Sequence, residues 1–114
     1  MKTIESIGAQ GDVLFRRIDK LPEGAVEEKR EQGAPIIVTH SETGHHHAIG
    51  KAADAHMFTK GDPLVAYLSI GEPYADVEHL RPWDTHETIR LPPGIFEVRR
   101  QREHTPEGWR RVED

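Results

Sequence analysis

The segment Thr39-His40-Ser41-Glu42-Thr43-Gly44-His45-His46-His47-Ala48-Ile49 holds four of the eight histidines of the chain. Neutral imidazole nitrogens bind Zn, Ni, Fe or Cu at about 2 Å. In a β-strand, residues i and i+2 point to the same side. His45 and His47 would then present two imidazoles together, and His46 would face away. This is a common way for a strand to supply neighbouring metal ligands. If Ser41 to Gly44 forms a hairpin loop, His40 lies across the ladder from His45. Glu42 can then supply an oxygen ligand or a hydrogen-bond acceptor that orients one. A closed site needs further ligands from elsewhere. His79 and His86 are the first candidates, and His56 is the next. Asp84 and Glu87 could add a carboxylate. His104 and His56 also have a plainer reading as solvated side chains. Without a metal, the cluster would act as a pH sensor, because neighbouring imidazolium charges repel.

Closely spaced turns must position these residues. Gly11-Asp12, Leu21-Pro22-Glu23-Gly24, Gln32-Gly33, Glu42-Thr43-Gly44, Gly61-Asp62-Pro63, Gly71-Glu72-Pro73 and Pro92-Pro93-Gly94 punctuate short apolar runs. That rhythm predicts an all-β barrel or sandwich. Expected strands are Val13 to Ile18, Pro35 to His40, His45 to Ile49, Ala55 to Thr59 and Leu64 to Ile70. Thr85 to Leu91 and Ile95 to Gln101 read as a hairpin closed by a type II turn with positive φ at Gly94. Ala25 to Gln32 has helix-stop chemistry at Gly33, but Val26 is its one large apolar residue. An exposed strand or loop is therefore preferred there.

The 114 residues include 15 Lys and Arg against 20 Asp and Glu, a formal charge of −5. Full histidine protonation would move it to +3. The length suits one β-rich domain over residues 1–114, with 105–114 as a polar tail and Trp109 as the residue to dock it. No run approaches a membrane span, and no apolar block of signal-peptide type opens the chain. A cytoplasmic protein is expected. Cysteine is absent, so a metal must be held by nitrogen and oxygen ligands.

Arg99, Arg100 and Arg102 lie near Arg110 and Arg111. Guanidinium forks suit phosphate or an acidic partner. The span Ile95 to Asp114 is neutral overall, however, with five Arg and five acids. A solvated, salt-bridged edge is the plainer reading. Arg99 and Arg100 should face opposite sides of a strand. Asp12 and Asp62 read as turn residues bonding their local backbone. Trp83 and Tyr74 could line a pocket near His79 and His86. There is no phosphate-binding glycine loop and no nucleophile elbow.

Three segments carry a resemblance to a group of small uncharacterised bacterial and phage-encoded proteins. They are Gln10-Gly11-Asp12-Val13-Leu14-Phe15-Arg16-Arg17, Thr43-Gly44-His45-His46-His47-Ala48-Ile49, and Leu91 to Glu103 running into Thr105-Pro106-Glu107-Gly108-Trp109-Arg110-Arg111-Val112. The resemblance assigns no activity. It aligns His45 and His47 with a Gly-His-x-His element, and His79 and His86 with paired histidines before a Leu-Pro-x-Gly turn. The Gly-His-x-His strand is also similar to the first metal motif of cupins, which implies a cupin-like barrel. The later cupin Glu has no counterpart after His47, and Gly94 is followed by Ile95-Phe96-Glu97 rather than the second motif.

The leading expectation is a histidine-rich β-barrel or sandwich holding a divalent transition metal through His45, His47, His79 and His86. A structural or accessory role is favoured over catalysis. The alternative is an interaction or assembly protein without metal. It would work as a homo-oligomer or with a protein partner, through β edges and the Arg99, Arg100 and Arg102 strand. Nucleic-acid binding is disfavoured by the net charge.

Overall fold

A computed structural model describes residues 2–29, 34–39, 46–50, 53–80, 88–100, 102–105 and 108–111. At 39, 46, 79, 80, 102–105 and 108–111 it describes the backbone alone. The strands are β1 (Lys2–Thr3), β2 (Ile7–Gln10), β3 (Val13–Ile18), β4 (Val26–Glu27), β5 (Ile36–Thr39), β6 (His46–Ile49) and β7 (Ala55–Thr59). They continue with β8 (Val65–Ile70), β9 (Ala75–Leu80), β10 (Ile89–Leu91), β11 (Gly94–Arg100), β12 (Arg102–Thr105) and β13 (Gly108–Arg111). Among the described residues, no helix is long and apolar enough to cross a membrane.

The architecture is all-β. One sheet runs β1-β10-β9-β6-β5 and the other β2-β3-β11-β8-β7-β4. They stack face to face as a sandwich and are not closed into a cupin-like barrel. The segment read as a polar tail carries the second strand of a separate two-stranded sheet, β12-β13.

Alternation explains the stacking. On β8, Val65, Ala66, Leu68 and Ile70 are buried, while Tyr67 and Ser69 are only partly so. On β5, Ile36 and Val38 are buried. Phe15 and Val13 of β3, Phe96 and Val98 of β11, Val77 of β9 and Leu91 of β10 meet between the sheets. Each such burial removes apolar area from water at about 25 cal/mol per Å².

β10 and β11 do not form the expected hairpin. β10 pairs with β9 and β1, whereas β11 pairs with β3 and β8. Pro92-Pro93-Gly94 is therefore a crossover between sheets. Gly94 has φ 147°, well beyond the value of about +80° of a type II turn. A Cβ there would collide with the Arg17 guanidinium. Arg17 holds the crossover, donating to Pro93 O at 3.1 Å and to Glu5 O at 2.6 Å. Its guanidinium stacks 4.7 Å from the centre of the Phe96 ring.

At the other turn that matters, Gln10 pairs with Val13, leaving Gly11-Asp12 as a two-residue loop. Gly11 has φ 59°, and among the described residues no non-glycine has positive φ. That is the pattern of a type II′ turn, whose twist matches the strands. Between 26 and 29 the chain contributes only the short edge strand β4, not a helix.

Candidate functional site

The β2–β3 turn sends two polar side chains into the sandwich. Gln10 is 3% exposed and Asp12 6% exposed. From the opposite sheet, β6 delivers His47, 1% exposed. Buried polar groups need partners, and these three supply one another. Gln10 Nε2 donates to Val77 O on β9 at 2.8 Å. That bond fixes the amide, so Gln10 Oε1 faces His47 Nδ1 at 2.8 Å. An amide oxygen only accepts, so Nδ1 carries a proton. His47 Nε2 is thereby turned toward Asp12 Oδ1, 3.6 Å away. Arg100, with its side chain 11% exposed, brings Nη2 to 3.9 Å from the second Asp12 oxygen. Gln10, Asp12, His47 and Arg100 each make further contacts as well.

A constrained imidazole facing a carboxylate across this gap has the spacing of two ligands on one metal ion. Two ligands on one tetrahedral ion, with bonds of about 2.0–2.2 Å, lie roughly 3.3–3.6 Å apart. The N–H of a metal-bound histidine is also normally tied down by an acceptor, as Nδ1 is here.

The other expected site residues are distributed as follows. His79 is the register partner of His47 across the β6–β9 ladder, so the topology brings these two positions together. His40, Glu42, His45 and His86 lie outside the described residues, as do Trp83, Asp84 and Glu87. His47 itself pairs with Thr39 on β5. Among the described residues, no group of three or more His, Asp or Glu is arranged to hold a metal.

His56 lies apart, on β7. Its Nδ1 meets Glu27 Oε2 at 2.7 Å and its Nε2 lies 3.4 Å from Asp54 Oδ1, with the ring 53% exposed. Arg99 and Arg100 point in different directions. Arg99 is exposed and lies 3.4 Å from Glu97, whereas Arg100 turns inward to Asp12. Arg102 is placed on β12 by its backbone. Tyr74 is covered by Arg90, whose guanidinium stacks 3.6 Å from the ring centre. Asp76, hydrogen bonded to Arg90 at 2.8 and 3.1 Å, raises that guanidinium above its ordinary value.

Sequence reasoning missed Gln10 and Asp12. Asp62 does bond its local backbone, accepting from Leu64 N at 2.9 Å. Asp12 is buried, with its carboxylate beside His47 and Arg100. The available signal was a polar residue on each side of a hairpin glycine, directly before the apolar strand Val13 to Ile18.

A cleft of about 460 Å³ opens beside Arg100. Val38 of β5 contributes one wall, and Met57, Val65, Ala66 and Val98 of the other sheet contribute the opposite wall.

Residues 9–101 match the family described as a domain of unknown function, DUF8820, and the chain belongs to that family. No curated protein and no solved structure matches it.

Proposed function

We propose that this member of the DUF8820 family is a metal-binding β-sandwich, with His47 as the anchoring ligand and Asp12 as the carboxylate beside it. The fixed orientation of His47 supports this reading. Gln10 holds the Nδ1 proton, and Nε2 is aimed at a carboxylate 3.6 Å away. His79 is the next ligand by register. His45 and His86 complete the set, with His40 and Glu42 as orienting groups. The metal is Zn, Ni, Fe or Cu. Its role is structural or accessory, because His47 and Asp12 come from opposite sheets and a shared ion would clamp them. The absence of cysteine accords with a cytoplasmic protein.

The untagged protein should purify with about one metal ion per chain by elemental analysis. Chelation should lower the melting temperature, and added metal should restore it. Metal at about 100 times its Kd adds about 2.7 kcal/mol. Metal-free protein whose melting responds to neither treatment rejects the reading. It would leave His47 and Asp12 as a buried polar contact between the two sheets.

A second reading, assembly through β edges, has its own observation. Among the described residues, the two large apolar side chains most exposed are Ile7, at 58%, and Val26, at 67%. They lie on β2 and β4, the two edges of the same sheet. Unpaired edges template association, and a charge blunts them. If edges join copies of this chain, Ile7→Lys with Val26→Lys should reduce the particle mass in light scattering. A monomer before and after the change rejects this reading.

A further inference from the structure

We propose that the cleft between β5 and the facing sheet is a binding site for a small amphipathic amine, with Glu28 at its mouth taking the ammonium group. The cleft volume of about 460 Å³ falls within the range of about 300–1,000 Å³ typical of small-molecule sites. Its walls are apolar: Val38 from one sheet, and Met57, Val65, Ala66 and Val98 from the other. It crosses the facing sheet from Glu28, next to β4, to Val98 on β11. That is three strand spacings of about 4.8 Å, or about 14 Å. Such a trough gains by covering a hydrocarbon chain along its length.

Charge decides which head group meets Glu28. Glu28 N donates to Met57 O at 2.7 Å, which holds the residue against β7. Met57 packs on the core, and Thr59, two residues on, shares its face of the strand. Glu28 Oε1 accepts from Thr59 Oγ1 at 3.0 Å, so the carboxylate is drawn to the cleft side of β7. A hydroxyl partner leaves the carboxylate charge uncompensated. Asp62, the second acid lining the cleft, accepts from Leu64 N at 2.9 Å, again a neutral donor. Both acids are exposed, and among the described residues neither is in an ion pair. Arg100 is the one base among the described lining residues, and it belongs to the β11 end. Its Nη2 lies 3.9 Å from the buried Asp12 carboxylate, so its charge is met there. An apolar trough thus ends at two carboxylates that no cation neutralises. A primary ammonium suits that mouth, because it offers three donors and charge-assisted bonds to carboxylate oxygens. An anionic head is repelled there, and a hydroxyl gains only a neutral hydrogen bond. The site uses no group of the metal reading and no β edge, so it stands apart from both.

The test uses the full chain, stripped with EDTA, and calorimetric titration with octylamine, 1-octanol and octanoate. Octylamine should bind one per chain and about tenfold or more tighter than octanol, because the charge-assisted contact is absent in the alcohol. Octanoate should bind more weakly than octanol. Glu28→Gln should bring octylamine down to the affinity of octanol and leave octanol unchanged. That change lies on an exposed side chain and keeps an oxygen for Thr59, so it spares the fold. Glu78→Gln removes the same charge from an exposed position on the other sheet, and should leave octylamine binding unchanged. Met57→Trp fills the cleft from its half-buried wall, and should weaken octylamine and octanol together. Circular dichroism of each variant checks that it is folded. Equal affinity for amine and alcohol overturns the proposal, as does an amine preference that survives Glu28→Gln. An equal loss in Glu28→Gln and Glu78→Gln also overturns it, since the amine would then follow net charge alone. Any of these failures leaves the metal reading standing. Octylamine binding to a protein that takes up no metal would do the reverse.

Discussion

Phe96→Ala should lower the free energy of unfolding by about 3–5 kcal/mol, the usual cost of emptying a buried aromatic site. In urea the midpoint should fall while the slope stays constant. Phe96 is 0% exposed and sits on β11, which pairs with both β3 and β8. Its direct partners are Arg17 on one side and Leu68, also 0% exposed, on the other. The ring also supports the Arg17 guanidinium, which holds Glu5 O and Pro93 O. Losing the ring therefore weakens the core and loosens the crossover between β10 and β11. A loss below about 1 kcal/mol would show that the sandwich is not packed around this strand.

The strands that were legible in the sequence are those whose apolar alternation is strong. Val13 to Ile18 and Ala55 to Thr59 form the expected strands. The expected Leu64 to Ile70 strand begins one residue later, at Val65. β9 was missed because its alternation is weak. Ala75 and Val77 are buried, but Asp76 between them and Glu78 after them make the segment look like a polar loop. β2 was missed for a related reason, since Gly8 and Ala9 offer little apolar signal. Pro92-Pro93-Gly94 announced a reversal of the chain. Turn chemistry does not say whether the next strand pairs with its predecessor or crosses to the facing sheet. Here it crosses.

Half of the described site was open to sequence reasoning. The strand period singles out His47, and His79 was named as a distant partner. Their ladder contact depends on β9, which the sequence hid. Gln10 and Asp12 reach His47 only because the type II′ turn folds one sheet's corner onto the other sheet. A sequence separation of 37 residues between Gln10 and His47 gives no local sign of that contact. Arg100 was read as a surface charge, although the alternation on β11 already placed it on the side opposite Arg99.

His47→Ala should cost about 2–5 kcal/mol in the same urea experiment, from the lost packing of a fully buried side chain together with the polar partners it leaves behind. The imidazole is 1% exposed, bonds Gln10 Oε1 at 2.8 Å and lies 3.6 Å from Asp12 Oδ1, both on the facing sheet. Without it, Gln10 Oε1 loses a donor and the 6%-exposed Asp12 carboxylate loses the ring beside it. Leaving a buried polar atom without its partner costs about 1–3 kcal/mol each. Gln10→Leu should also destabilise, because the bonds from Gln10 to Val77 O and to His47 Nδ1 are both lost. The two changes remove the same contact, so their effects should not add. A double-mutant cycle should return a coupling of about 0.5–3 kcal/mol. Strict additivity would show that the His47–Gln10 bond contributes nothing to the fold. The cycle also separates the roles assigned to the two residues. If His47 holds a metal, Gln10→Leu should retain the ion with an affinity about 10–100-fold weaker, whereas His47→Ala should lose it. The gap between the two variants should then widen when metal is added and close when it is chelated. A gap that ignores metal identifies His47 as a staple between the sheets and nothing more.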